Sequence, residues 1–355
     1  EAAEAASLRA APAEVAVPQA APAGAAEAAA PRAAPAEAAE AAAPRAAPAE
    51  AAEAAAPRAT PAEAAAPKGS VIAQAKTIAA RDGLPLGCTL YLPAGREPER
   101  VVIVGCATAV RRGFYEPYAR YLAANGCATL TFDYRGIGGS LRGPVARAAA
   151  TIRDWGEKDY AAVVDAMASE FPGLTLQIVG HSVGGQLLGL LDNNHRIASA
   201  ITVAAQHGYW RLYPAKSGLT YAGLWYGLMP GLARALSYFP AKKLKLGEDL
   251  PKGVALQWAR WARSPHYMID DAGVPLRQGF DKYEGPVRAY SFEDDERAPE
   301  ACVRALHKYF KRTEVDFRHV RPAELGVKGI GHVGFFRAQF KHTLWKESLD
   351  WLRAH

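Results

Sequence analysis

The sequence predicts an α/β protein built on a mostly parallel sheet, and three observations carry that prediction. Short apolar runs recur through residues 70–355 and alternate with longer amphipathic ones, the rhythm of βα units. All 7 Trp, 15 Tyr, 11 Phe, 9 His and 4 Cys fall within that stretch, which suits one large domain with a sizeable core. The first 68 residues are nearly all Ala, Pro and Glu, without an aromatic, Cys or His, so they offer nothing for a core or for acid/base chemistry.

Two early strands are predicted near 72–80 and 86–92, separated by Arg81-Asp82-Gly83, a hairpin signal. Val101-Val102-Ile103-Val104 reads as a buried strand, a helix at about 115–125 ends at Gly126, and 127–132 is the next strand. A long helix at 154–169 leads to a strand at 174–179. Helix 186–191, strand 200–204, strands 287–292 and 315–320 and an amphipathic helix at 339–352 complete an eight-stranded sheet flanked by helices. Between 206 and 280 the strand rhythm breaks. That insert holds Trp210, Trp225, Trp258 and Trp261 with six tyrosines.

The opening residues repeat every 13 positions at Pro31-Arg32, Pro44-Arg45 and Pro57-Arg58. Each Ala/Glu run meets a proline before a stable helix can nucleate, so 1–69 is expected to be a disordered, semi-extended linker, a spacer or an extension of no consequence. Nine Glu against four Arg and one Lys give 1–68 a net −4, which leaves +10 of the chain's +6 total on the remainder. The basic residues there are scattered and no nucleic-acid signature accompanies them, so no nucleic-acid partner is expected. Cys88, Cys106, Cys127 and Cys302 have no metal or redox spacing and read as reduced thiols of a cytoplasmic protein. No apolar stretch matches a membrane span, and no metal site or cofactor fingerprint is present. The oligomeric state is not legible.

Chemistry concentrates in three places. Gly180-His181-Ser182-Val183-Gly184 lies between an apolar strand and a helix, where a sharp turn exposes a serine hydroxyl as a nucleophile. A serine needs a base and a group that orients the base. His332, in the glycine-rich loop 329–336 just past the last strand, is the expected base. His207 and His266 flank the insert and are candidates to line a pocket; His181, inside the turn, reads as structural. Phe292-Glu293-Asp294-Asp295-Glu296-Arg297-Ala298-Pro299 crowds four carboxylates after the preceding strand; one is needed for the histidine, and the others would cap a helix or be solvated.

With these motifs in order, residues 70–355 resemble the α/β-hydrolase superfamily with a helical cap insertion at about 206–280. Asp133-Tyr134-Arg135-Gly136-Ile137-Gly138-Gly139-Ser140 is similar to that family's D-x-R-G-x-G-x-S loop, in which Asp133 and Arg135 are expected to be structural and to hold the loop that borders the site. The family's acid commonly stands four residues before a proline, which favours Asp295 over Asp294. Within the superfamily the chain looks most like bacterial predicted hydrolases related to the serine aminopeptidase (S33-like) type. Where many members read His-Gly after the third strand, this chain reads Gly105-Cys106-Ala107-Thr108-Ala109-Val110. An oxyanion hole needs an N–H and no particular side chain, so the amide of Ala107, or of Cys106, is expected to act with that of Val183. No low-pKa setting for Cys106 as a second nucleophile is visible.

The expected function is hydrolysis of a carboxylic ester or thioester of an apolar acyl group, a small-molecule substrate, through an acyl-enzyme on Ser182. The insert's aromatics would supply an acyl pocket or simply pack the cap helices. Two alternatives use the same triad: acyl transfer to an acceptor other than water, and a serine aminopeptidase with Glu248, Asp249, Asp270 or Asp271 binding the substrate ammonium. From another class, the fold could serve as a non-catalytic binding module.

Overall fold

The eight apolar runs pair into one sheet in the computed structural model, which describes residues 69–355; the expected linker at 1–69 lies almost wholly outside the described residues. In chain order the strands are β1 (Val71–Ala79), β2 (Pro85–Pro93), β3 (Arg100–Gly105), β4 (Cys127–Phe132), β5 (Thr175–His181), β6 (Ser199–Val203), β7 (Val287–Phe292) and β8 (Val315–Val320). Their spatial order is β1-β2-β4-β3-β5-β6-β7-β8. β1 and β2 form an antiparallel hairpin whose turn needs Gly83 at φ 83°. β2 is antiparallel to β4, and every later pairing is parallel.

Burial follows position. Every residue of β4 and β6 is buried and β5 is buried after Thr175, as central strands covered on both faces require; β1 and β8, at the edges, stay partly exposed. The helices that follow the strands are α1 (Glu116–Ala124), α2 (Ala161–Glu170) and α3 (Val183–Gln186). The single helix expected at 154–169 is built in parts: a Thr151–Asp154 capping box opens it, a π-helical stretch occupies Trp155–Tyr160, and α2 continues. After α3 the chain tightens into the 3₁₀ turn Leu187–Leu190.

Between β6 and β7 lie α4 (Ala215–Gly223), a π-helical stretch Leu224–Leu228 and α5 (Met229–Leu236), which run on as one helix, then α6 (Lys252–Arg263) and α7 (Gln278–Lys282). A two-residue ribbon, Tyr238–Phe239 against Leu250–Pro251, separates α5 from α6. Trp225 and Trp258 pack with ring centroids 5.0 Å apart and tie the π-helical stretch to α6. α8 (Glu300–His307) and α9 (Leu344–Ala354) complete the described residues, among which no helix is long and apolar enough to cross a membrane.

Three buried histidines are expected to make this fold acid-sensitive. His307 Nδ1 lies 2.8 Å from the Val303 carbonyl and Nε2 2.8 Å from the Thr202 hydroxyl, an arrangement that holds a neutral ring. Burial lowers His307 and His207 from 6.5 to about 4 and pushes His181 well below 6.5. Because the folded values are depressed, the unfolded chain takes up protons first as pH falls below 6.5, and stability is lost down to about pH 4. Each histidine contributes a slope of about 1.4 kcal/mol per pH unit while only its unfolded form is protonated. Asp159, raised by burial from 3.8 to about 6, binds its proton first in the folded state and offsets part of this loss. The urea midpoint is therefore expected to fall between pH 7 and 5 on the balance of three histidines against one carboxylate, and an unchanged midpoint over that range would refute the assignment.

Candidate active site

β5 delivers its last residue, His181, into a turn at which Ser182 takes φ 51° and ψ −116° before α3 begins. A non-glycine residue there stores about 1–3 kcal/mol of backbone strain. The flanking glycines make the turn possible: a Cβ on Gly180 would lie 2.5 Å from the Gly185 nitrogen, and one on Gly184 would lie 2.3 Å from the Gly105 oxygen. The Ser182 N–H donates to the Val203 carbonyl at 2.8 Å, which ties the turn to the end of β6.

The four carboxylates after β7 divide their tasks. Asp295 Oδ2 accepts from His332 Nδ1 at 2.8 Å, while Oδ1 accepts the N–H groups of Arg297 and Ala298 at 2.9 and 3.1 Å. Its side chain is 1% exposed against 12% for that of His332. Asp294 faces the other way and accepts the backbone N–H groups of Ile330 at 2.7 Å and Gly331 at 3.0 Å, so it anchors the loop that carries His332. Glu293, Asp294 and Glu296 are exposed, and neither Glu lies at the histidine. Nδ1 of His332 is thus engaged by Asp295, and the His332 ring and Ser182 line the same cavity.

The Ala107 amide, expected to act with that of Val183 in an oxyanion hole, has a partner within the protein. The Ala107 N–H is already donated to the Tyr115 hydroxyl at 2.8 Å, because the turn Arg112–Tyr115 folds the phenol beneath the loop after β3. The next amide, that of Thr108, has no acceptor among the described residues, and Thr108 lines the cavity. The Val183 N–H is the first of α3 and is likewise without an acceptor among them, as helix N-termini leave their first donors.

Tyr115 also reaches His181, which the sequence leaves as a structural residue. The phenol lies 2.8 Å from His181 Nδ1, and His181 Nε2 lies 2.8 Å from the His332 carbonyl oxygen. Only one direction satisfies every group: Ala107 N–H donates to Tyr115 Oη, Tyr115 O–H donates to His181 Nδ1, and His181 Nε2–H donates to the His332 carbonyl. Burial keeps His181 neutral, as that direction requires, with the neighbouring His332 acting in the same sense. Nothing in the local sequence of Tyr115, read only as a helix start, announces this role.

The order β1-β2-β4-β3-β5-β6-β7-β8, with a strained serine turn after β5, an acid after β7 and a histidine after β8, decides the architecture. The chain has the α/β-hydrolase fold. Its residues 96–246 match the family described as serine aminopeptidase, S33. Solved structures with the same fold include a hypothetical protein of Pseudomonas aeruginosa, at 16% identity over 82% of this chain and 95% of that one, with a TM-score of 0.56. An esterase of Pyrococcus furiosus matches at 14% identity over 81% and 92% of the two chains, with a TM-score of 0.56. The esterase Est1E of Butyrivibrio proteoclasticus, solved with ferulic acid bound, matches at 17% identity over 79% and 98%, with a TM-score of 0.50. No curated protein matches this chain in sequence.

Within this α/β-hydrolase fold, Ser182 and His332 open onto a cavity of about 190 Å³. The insert forms its far wall with Tyr213, Tyr221, Trp225, Met229 and Trp258. Among the lining residues Arg297 is the charged side chain and no carboxylate occurs. His207 and His266, candidates for this wall, do not line it: His207 is buried against Tyr309, with Nε2 2.7 Å from the phenol, and His266 is exposed. Asp133 and Arg135 lie outside it too. Asp133 accepts from the backbone of Arg112 at 2.7 Å and of Gly139 at 2.9 Å, and Arg135 pairs with Asp82 and Asp159, so both hold the loop after β4. All four cysteines are free and buried; burial raises the Cys106 thiol well above its ordinary range, and its Sγ lies 3.0 Å from the Phe132 carbonyl. Among the described residues no cluster could hold a metal ion.

Proposed function

We propose that the protein hydrolyses a carboxylic ester or thioester of an apolar acyl group through an acyl-enzyme, with Ser182, His332 and Asp295 as its triad. The observation that carries this reading is the 2.8 Å bond from His332 Nδ1 to the buried Asp295, in a ring that shares a cavity with the strained Ser182. Ser182 Oγ attacks the acyl carbon as His332 Nε2 takes its proton. The amides of Val183 and Thr108 hold the resulting oxyanion. His332 then returns the proton to the departing alcohol or thiol, and water repeats the cycle on the acyl-serine. Insert residues 206–280 act as the cap, and the aromatic wall receives the acyl group.

The cavity favours this reading over an aminopeptidase. A free substrate ammonium calls for a carboxylate, and the four acids of the insert are engaged elsewhere. Glu248 pairs with Arg111 and Lys242, Asp249 accepts the Lys242 N–H, Asp270 accepts the N–H groups of Ala272 and Val274, and Asp271 pairs with Arg260. Parallel assays of p-nitrophenyl esters, acyl thioesters and aminoacyl anilides test the choice: the first two are expected to turn over, and turnover of anilides alone would reverse it. Adding an alcohol acceptor to the ester assay separates hydrolysis from acyl transfer. A fluorophosphonate probe is expected to label Ser182; failure to label would return the chain to a non-catalytic role.

In this mechanism Tyr115 and His181 are positioning residues. Tyr115→Phe strands the Ala107 N–H and His181 Nδ1, two buried polar groups, at about 1–3 kcal/mol each. Because loop displacement moves both the base and the Thr108 amide, kcat is expected to fall on the order of tenfold or more with KM little changed. Steady-state kinetics beside thermal unfolding check this; a loss of stability with unaltered kcat would reduce the chain of bonds to scaffolding.

A further inference from the structure

The helix formed by α4, Leu224–Leu228 and α5 turns one side to the cavity and an unusual side to solvent. Between residues 212 and 246, seven large apolar side chains are at least a third exposed, with Leu219 at 70%, Tyr226 at 57% and Leu228 at 49%. The exposed positions between them on the helix include Gly223, Gly227, Gly231 and Ala235 in place of the charged residues an outward helix face ordinarily carries. α9 shows that ordinary pattern, with Lys346, Asp350 and Arg353 outward. Elsewhere among the described residues the large exposed apolar side chains are single and far apart in sequence, at Ile72, Phe114 and Val274.

The charged residues within this segment have one sign. Residues 211–246 contain Arg211, Lys216, Arg234, Lys242, Lys243 and Lys245 and no Asp or Glu. Lys242 pairs with Glu248, while the other five form no ion pair among the described residues. An exposed apolar segment that carries unpaired cations matches the boundary of an anionic bilayer, where acyl chains meet the leucines and headgroup phosphates meet the ammonium groups. A second copy of the chain fits poorly, because a two-fold contact would set the same cations against themselves.

We propose that the outward face of residues 212–246 docks on an anionic lipid surface. Leu246 is both exposed and part of the cavity lining, so docking of this segment sets a cavity-lining residue at the lipid. The docking rests on this surface and not on the hydrolytic reading, and it is tested with the full chain bearing Ser182→Ala, which removes any turnover of lipid. In flotation with vesicles, the protein is expected to rise with phosphatidylcholine–phosphatidylglycerol mixtures, to remain behind with phosphatidylcholine alone, and to be released by salt.

Leu219→Glu with Leu228→Glu, both outside the cavity lining, is expected to weaken vesicle binding by at least about tenfold per residue. Lys243→Glu with Lys245→Glu is expected to remove the preference for anionic vesicles. Hydrolysis of a short soluble ester by the same pairs in the Ser182 background is expected to stay unchanged, which reports an intact fold; where no ester is turned over, the thermal midpoint serves. Absence of binding to anionic vesicles at low salt overturns the proposal. So does binding indifferent to the substitutions, or a dimer in sedimentation equilibrium that the Leu219/Leu228 pair dissociates, which would assign the face to a second copy.

Discussion

Ser182→Ala is expected to lower ester turnover by about a million-fold while leaving the unfolding midpoint unchanged or slightly raised. The loss follows from the mechanism: without Oγ there is no acyl-enzyme, and only substrate binding and oxyanion stabilisation remain to speed attack by water. Stability should hold because the Ser182 N–H bond to Val203 is a backbone contact that alanine keeps, and the Oγ makes no hydrogen bond among the described residues. The strain at φ 51° also persists, since alanine pays as much there as serine. Mass spectrometry after fluorophosphonate treatment should find the probe on Ser182 in the parent protein and nowhere in the variant. Substantial residual turnover in Ser182→Ala would place the nucleophile elsewhere and sink the proposed mechanism.

Asp295→Asn is expected to cost about ten-thousand-fold in kcat near neutral pH with little effect on folding. The surroundings of Asp295 dictate how an amide would sit. The Arg297 and Ala298 N–H groups demand an acceptor where Oδ1 lies, so the amide oxygen takes that place and the NH₂ is turned toward His332. An NH₂ can only donate, which forces the ring proton from Nδ1 to Nε2 and leaves no base facing Ser182. Asp294→Asn tests the converse. Its remaining amide oxygen still accepts from the Ile330 and Gly331 backbone, so a modest loss is expected, within about tenfold. Equal losses in the two variants would undo the separation of roles.

The reach of the sequence can be seen in this pair. Two adjacent aspartates after the same strand are indistinguishable by composition, and the spacing to Pro299 separates them only through resemblance. The distinction that matters is direction: one carboxylate turns to an imidazole and its neighbour to two backbone amides. Ser182 was legible because strand, small residues and helix occur within a few positions, and the sheet because its central strands are continuously apolar. Ala107 and Tyr115 were not. Whether a backbone N–H is free depends on which side chain folds beneath it, and Tyr115 reaches Ala107 through a turn with no marked signal. The break in rhythm at 206–280 was equally plain, but the division of its aromatics was hidden. Tyr213, Tyr221, Trp225 and Trp258 face the cavity, whereas Trp261 is spent on packing and on its bond to the Ile269 carbonyl.

The one-way chain from Ala107 through Tyr115 and His181 to His332 divides the molecule for anyone who would redesign it. Ala107 and His332 enter that chain through their backbone, so the Tyr115 and His181 side chains set its protons; replacing either obliges the other to change in concert, and a library that varies the two independently would consist mostly of failures. The opposite wall is free of that obligation. Met229 and Leu224 touch the cavity through packing alone and can be enlarged or trimmed one at a time. New acyl preferences should therefore be sought by mutating the insert, with the strand-end side kept as an inherited block.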